Sequence, residues 1–211
     1  MRPHYNRVAG QSLESLASLS NNIFAFAMTL LILKIHIPSH EDIHTEQDLL
    51  HTLYVFWPHI LTWLMSVLTL GIFWVGQHSQ FNQLRHSNLR YTWLQLGFLA
   101  FVTAIPFTTD LLTEFITFRL ALLVYWINIL MLGIFIYICL VYAAKNGLVK
   151  EEVKLETYLS FRRRILTGQT LYAVGAALCV INTYWSIGFI LMVQLNYAIA
   201  PKIPWLCELT A

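Results

Sequence analysis

Residues 98–115 read Phe-Leu-Ala-Phe-Val-Thr-Ala-Ile-Pro-Phe-Thr-Thr-Asp-Leu-Leu-Thr-Glu-Phe. An apolar run of helix length meets Pro106, crosses a short polar patch, and turns apolar again. Alone, this is only a helix with a proline in it. Its neighbours decide the fold, because similar runs recur along the chain with almost no charge inside them. The reading is an all-α membrane protein with six transmembrane helices, near residues 17–37, 49–80, 91–110, 115–144, 165–182 and 184–200. A bilayer core about 30 Å thick takes ~20 apolar residues per helix. The 211 residues therefore read as a single six-helix transmembrane domain over 1–211, with no separate soluble domain.

Composition agrees. The chain is 57% hydrophobic and only 11% charged, against roughly 25% charged residues in soluble domains. The third and fourth runs are close in sequence, as are the fifth and sixth, which predicts antiparallel hairpins. Lys and Arg set the orientation. Arg2, Arg7, Arg85, Arg90, Lys202 and the 145–164 linker (Lys145, Lys150, Lys154, Arg162, Arg163, Arg164) fall on one side, and Lys34 and Arg119 on the other. Both termini are thus expected in the cytoplasm. The Arg162–Arg164 triplet reads as an anchor at the lipid headgroups, with an anionic-lipid site as the sharper alternative. Cys139, Cys179 and Cys207 show no paired spacing and read as small apolar fillers, not disulfides or metal ligands. The N-terminus lacks the basic-then-apolar pattern of a cleaved signal.

The first helix carries the polar chemistry. Ser20, Asn21 and Asn22 enter a segment that then turns almost wholly apolar. Amides at membrane depth need partners, so they are expected to face other helices. Asn22, Phe26, Thr29 and Leu33 follow helical spacings of four, three and four and share one face. Such a face can line a narrow pore if several copies converge. It can equally be an ordinary helix–helix interface, with the Thr29 hydroxyl bonded to its own backbone one turn earlier. In the second helix Trp74 and His78 are four apart and share a face at the depth of Asn21.

Three segments together resemble the transmembrane protein 175 family of potassium channels, in its single-repeat bacterial form. The family's first-helix motif, Arg-x3-Phe-Ser-Asp-x7-Thr, aligns with Ser15-x3-Leu19-Ser20-Asn21-x7-Thr29. Its second-helix motif, Trp-x3-His-x2-Phe, matches Trp74, His78 and Phe81 in full. Its third-helix motif resembles Pro106-Phe107-Thr108-Thr109-Asp110-Leu111-Leu112. The resemblance covers roughly the first 115 residues and implies a homotetramer in which each first helix lines a central pore. The family's constriction residue maps onto Phe26, with Leu30 and Leu33 as further apolar layers, and its selectivity-linked Thr maps onto Thr29. Ser20, Asn21, Asn22, Trp74 and His78 would form a polar network supporting the pore helix. The chain has no Thr-Val-Gly-Tyr-Gly-like filter loop, as the family has none.

Several positions depart from the motif. The Arg and Asp are replaced by Ser15 and Asn21, so their joint loss leaves no orphan buried charge. Phe26 is bulkier than the usual Ile or Leu, and Leu19 replaces Phe. Lys34 stands at the outer mouth where the family often has an acidic residue, with Glu41, Asp42, Glu46 and Asp48 nearby as neutralising groups. His36, His40, His44 and His51 crowd the outer loop, with His59 beyond, but form no firm metal-ligand set.

The expected function is therefore a cation channel, potassium first, with a hydrophobic constriction and Thr-based selectivity. Its expected partners are potassium or another monovalent cation, the lipid bilayer and copies of itself, with no nucleic acid and no cofactor. The expected location is the cell inner (plasma) membrane, as a multi-pass protein. A non-conducting membrane scaffold of the same fold and a small-solute transporter are the alternatives. Catalysis is not expected, because no Ser-His-Asp order and no phosphate-binding loop is present.

Overall fold

The computed structural model describes residues 12–33, 35, 45–153 and 155–199. Its helices are α1 (Leu13–Leu33), α2 (Glu46–Val55), α3 (Trp57–Phe81), α4 (Leu89–Glu114), α5 (Arg119–Lys145), α6 (Leu155–Ala177) and α7 (Thr183–Ile199). A 3₁₀ turn, Leu178–Val180, joins the last two. The architecture is all-helical, and α1, α3, α4 and α5 are each long and apolar enough to cross a membrane. The other two expected crossings differ. Helix α7 has 17 residues, or roughly 26 Å at 1.5 Å per residue. Helix α6 is charged through its first half and uncharged only beyond Arg164.

Two expected boundaries are corrected. The run 49–80 is not one helix but α2 and α3, which meet at Phe56, the C-cap of one and the N-cap of the other. The cause is Pro58, in the first turn of α3, where its missing N–H is harmless but would break a continuous helix. The start of α2 is fixed by a capping box: the Asp48 N–H donates to Thr45 Oγ1 (3.1 Å) and the Thr45 N–H to Asp48 Oδ2 (2.9 Å). The 145–164 linker is also partly helical, since α6 starts at Leu155. Pro106, by contrast, sits inside α4 without ending it.

The helices pack as α4 on α5, α1 across α3 and α4, α7 against α3, and α6 against α5 and α7. Phe24, Met65, Leu70, Phe98, Ile105, Leu122 and Ile129 form the centre of a continuous apolar core. Close approach depends on small residues, as membrane helices favour. A Cβ on Gly97 would lie 2.4 Å from the Phe135 ring, and one on Gly175 would lie 2.7 Å from Ile190. Hydroxyls and amides lace the interior. Ser66 and Thr109 bond at 2.7 Å, the Tyr125 hydroxyl meets Thr69 at 3.0 Å, and Gln194 Nε2 donates to Thr69 Oγ1 at 2.6 Å. These bonds join α3, α4, α5 and α7. At the end bearing Arg85 and Lys150, the α3–α4 loop is tied to the segment after α5. Arg85 N donates to the Leu148 carbonyl (2.8 Å), and Lys150 Nζ to that of Asn82 (2.9 Å). Gly147, with φ at +66°, supplies the left-handed turn this needs.

Candidate pore face and its support

Helix α1 has two faces. Leu16, Ser20, Phe24, Ala27 and Leu31 recur every three or four residues and are buried against α3 and α4. The opposite face holds Ser15, Leu19, Asn22, Phe26, Thr29 and Leu33, all exposed on the protomer. Phe26 is 64% exposed and Leu33 is 72% exposed. Leu30 lies at the edge of this stripe, half-buried. The Thr29 hydroxyl donates to the Phe26 carbonyl at 2.8 Å. Its proton is thereby engaged by the backbone, and its oxygen keeps lone pairs directed away from the helix, free to accept or to meet a cation.

The helix is held in this rotation by a polar bracket. Trp74 Nε1 donates to Asn21 Oδ1 at 2.9 Å, joining α3 to α1. Beside this bond, the Ser20 hydroxyl donates to Gln77 Oε1. Gln77 Nε2 donates to Gln95 Oε1 (2.7 Å), and Gln95 Nε2 to the Tyr91 hydroxyl (2.8 Å). Ser20, Gln77, Gln95 and Tyr91 are all essentially buried. A hydrogen-bonded relay thus runs from α1 through α3 into α4, at a depth where each unpaired amide would cost about 1–3 kcal/mol.

The members of the expected network are therefore placed unequally. Asn21 and Trp74 are bonded to each other. Ser20 reaches Gln77, not Trp74 or His78. His78 stacks on Trp74, ring centroids 5.5 Å apart and planes 19° apart, so its contact is within α3. Asn22 points outward with Phe26 and Thr29. Gln95 and Tyr91 were not singled out in the sequence, although a Gln inside an apolar run such as 91–110 is itself a signal that a buried partner is required. Lys34, Glu41 and Asp42 of the outer mouth, and His36, His40 and His44, lie outside the described residues. Of the remaining outer histidines, His51 is exposed on α2, whereas His59 packs its ring 5.1 Å from Phe56.

The fold and this face define a class: a multi-pass helical membrane protein whose first helix turns a mixed polar and apolar stripe away from its own core. Residues 15–106, which include both the stripe and its bracket, match the family model described as endosomal/lysosomal potassium channel TMEM175. A potassium channel of Chamaesiphon minutus is 28% identical over 192 residues, covering 86% of this chain and 91% of that one. A potassium channel of Streptomyces collinus is 33% identical over 99 residues, 47% of each chain. The crystal structure of a lysosomal potassium-selective channel TMEM175 homolog from Chamaesiphon minutus superposes with a TM-score of 0.77 at 26% identity, covering 89% of this chain and 97% of that one. The chain is thus similar to the TMEM175 family over residues 15–106, and over most of its length to a solved TMEM175 homolog. These relatives are named as ion channels, not as enzymes.

Proposed function

We propose that the protein is a potassium-permeable cation channel, formed by four copies whose α1 helices surround a central axis. The single observation that carries this reading is the exposed stripe of α1. A membrane helix that turns Ser15, Asn22 and Thr29 outward would strand polar groups in hydrocarbon unless something other than lipid covers them. Copies of the same stripe around an axis do so and create a path. The relatives named as potassium channels support the ion. The chain would cross the membrane six times, with α6 entering at Arg164 and α7 completing the last hairpin.

In this arrangement Phe26 forms the constriction, with Leu33 and the edge residue Leu30 as outer apolar layers. A collar of such side chains excludes liquid water and gates by dewetting. Thr29, one turn away, offers oxygens that replace part of a cation's hydration shell. Potassium gives up its shell more readily than sodium, so partial replacement favours potassium. The bracket of Asn21–Trp74 and Ser20–Gln77 sets the rotation of α1 and hence the aim of both rings. Lys34, Glu41 and Asp42 would then stand at the outer mouth, and the inner (plasma) membrane is the proposed location.

Flux from liposomes loaded with potassium or sodium tests the reading. The wild-type protein should pass potassium faster than sodium, Phe26→Ala should raise the flux, and Thr29→Val should lower the potassium-to-sodium ratio. Unchanged flux and ratio in both variants would remove the pore from α1. A purified protein silent both as wild type and as Phe26→Ala would favour a non-conducting scaffold.

A further inference from the structure

A cavity of about 90 Å³ lies away from α1, between α3, α5, α6 and α7. Its wall is mostly apolar, yet four polar side chains reach it with an atom left unpaired. Gln80 spends its Nε2 on the Ile136 carbonyl (3.2 Å), and its Oε1 has no partner. Gln169 spends its Nε2 on the Ile129 carbonyl (3.5 Å), and its Oε1 is likewise unpaired. The hydroxyls of Tyr172 and Tyr197 have no partner either. Gln80 is 4% exposed and Tyr172 is 3% exposed, so these are not solvated surface groups. Buried polar atoms of proteins are paired almost without exception, and of the eight unpaired ones among the described residues four belong to side chains lining this cavity. Four of them on one cavity mark a place where a further molecule belongs.

The groups specify its chemistry. Two phenol hydroxyls can donate, two amide oxygens can only accept, and Arg164 supplies a cation, its guanidinium carbon 5.4 Å above the Tyr197 ring centre. The matching ligand has an anionic oxygen cluster for Arg164 and the tyrosines, together with hydroxyls that donate to Gln80 and Gln169. The position fits a lipid. Arg164 ends the charged half of α6, and the residues after it in the helix carry no charge, which puts the mouth of the cavity at headgroup depth. Glycine keeps the space open. Gly168 and Gly76 both line the cavity, and a Cβ on Gly168 would sit 3.5 Å from the Tyr197 hydroxyl oxygen.

We infer that this cleft binds the headgroup of an anionic, hydroxyl-bearing phospholipid, of the phosphatidylglycerol kind. The phosphate lies against Arg164, Tyr172 and Tyr197, and the headgroup hydroxyls reach Gln80 and Gln169. A choline headgroup does not answer the same groups, because it has no hydrogen to donate and its cation meets Arg164.

The test is lipid binding to the full chain in neutral detergent. Native mass spectrometry counts the bound lipid, and thermal unfolding reads its effect. Dioleoylphosphatidylglycerol should bind saturably and raise the Tm, whereas dioleoylphosphatidylcholine should not. Arg164→Ala should weaken binding about fivefold or more, and Gly168→Leu, which fills the cleft, should abolish it. Arg162→Ala removes the same charge without touching the cleft and should retain binding within about twofold. If Gly168→Leu does not fold, Gly76→Val fills the same space from α3. Equal losses in Arg162→Ala and Arg164→Ala would mean general attraction to a charged surface and would overturn the site, as would unchanged binding in a filled variant. Protection by soluble glycerol 3-phosphate with none from phosphatidylglycerol would overturn the lipid assignment.

Discussion

Gln77 is the residue on which the support of α1 turns. It accepts from Ser20 and donates to Gln95, and only 1% of it is exposed. Removing a buried partner leaves the groups around it unpaired, at about 1–3 kcal/mol. Gln77→Leu strands both the Ser20 hydroxyl and Gln95 Oε1, so it should lower the Tm in detergent by several degrees. Trp74→Phe strands only Asn21, which is exposed, and should lower it less. A Gln77→Leu protein as stable as Trp74→Phe would mean that the relay adds nothing. At this scale the sequence was half legible. The shared face of Asn22, Phe26, Thr29 and Leu33 follows from helical period alone. The pairing of Ser20 with Gln77 rather than with Trp74 depends on how α1 and α3 are rotated about their axes. That rotation is set by core packing of Phe24, Ala27 and Phe73, which a one-dimensional pattern does not contain.

Among the elements, one close approach is in the α4–α5 hairpin. Gly97 admits the Phe135 ring, and a Cβ there would come within 2.4 Å of it. Overpacking a filled core costs about 1–3 kcal/mol, so Gly97→Ala should lower the Tm. Gly71, where an added Cβ meets nothing within 4 Å, is the matched control. Gly71→Ala should leave the Tm unchanged or raise it, because alanine is the better helix former. Equal effects at the two positions would mean that Gly97 does not set the α4–α5 spacing. The misread elements have physical causes at the same scale. Pro58 in the first turn of α3 does not interrupt the apolar run, so 49–80 looked continuous. Its signal is the Thr45–Asp48 capping box, which starts a separate short helix. The first half of α6 looked like a linker because it is charged, yet helix formation does not require an apolar sequence. Arg162–Arg164 can stay helical with their heads in the headgroup layer.

The whole molecule is legible in its class and not in its assembly. Charge deficit and apolar runs are enough for a multi-pass helical protein, whereas the number of copies around an axis is encoded only in surfaces that no single chain covers. The stripe of α1 is such a surface, and it yields a test of assembly independent of conductance. If four copies meet there, Phe26 and Leu33 approach their counterparts near the axis, while Phe107, 67% exposed on α4, faces elsewhere. Disulfides form only when the Cα atoms come within about 7 Å. In a background with Cys139, Cys179 and Cys207 replaced by Ala, Phe26→Cys and Leu33→Cys should each give cross-linked dimers on mild oxidation in dilute liposomes, whereas Phe107→Cys should remain monomeric on the gel. Light scattering of the unoxidised protein should give four protomers. The dimer band in this design arises because a ring of four thiols closes in pairs, so the gel reports proximity and the scattering reports number. Cross-linking at Phe107 in place of Phe26 and Leu33 would place α4, not α1, at the centre of the assembly, and the stripe of Asn22, Phe26 and Thr29 would then have to be covered by some other helix.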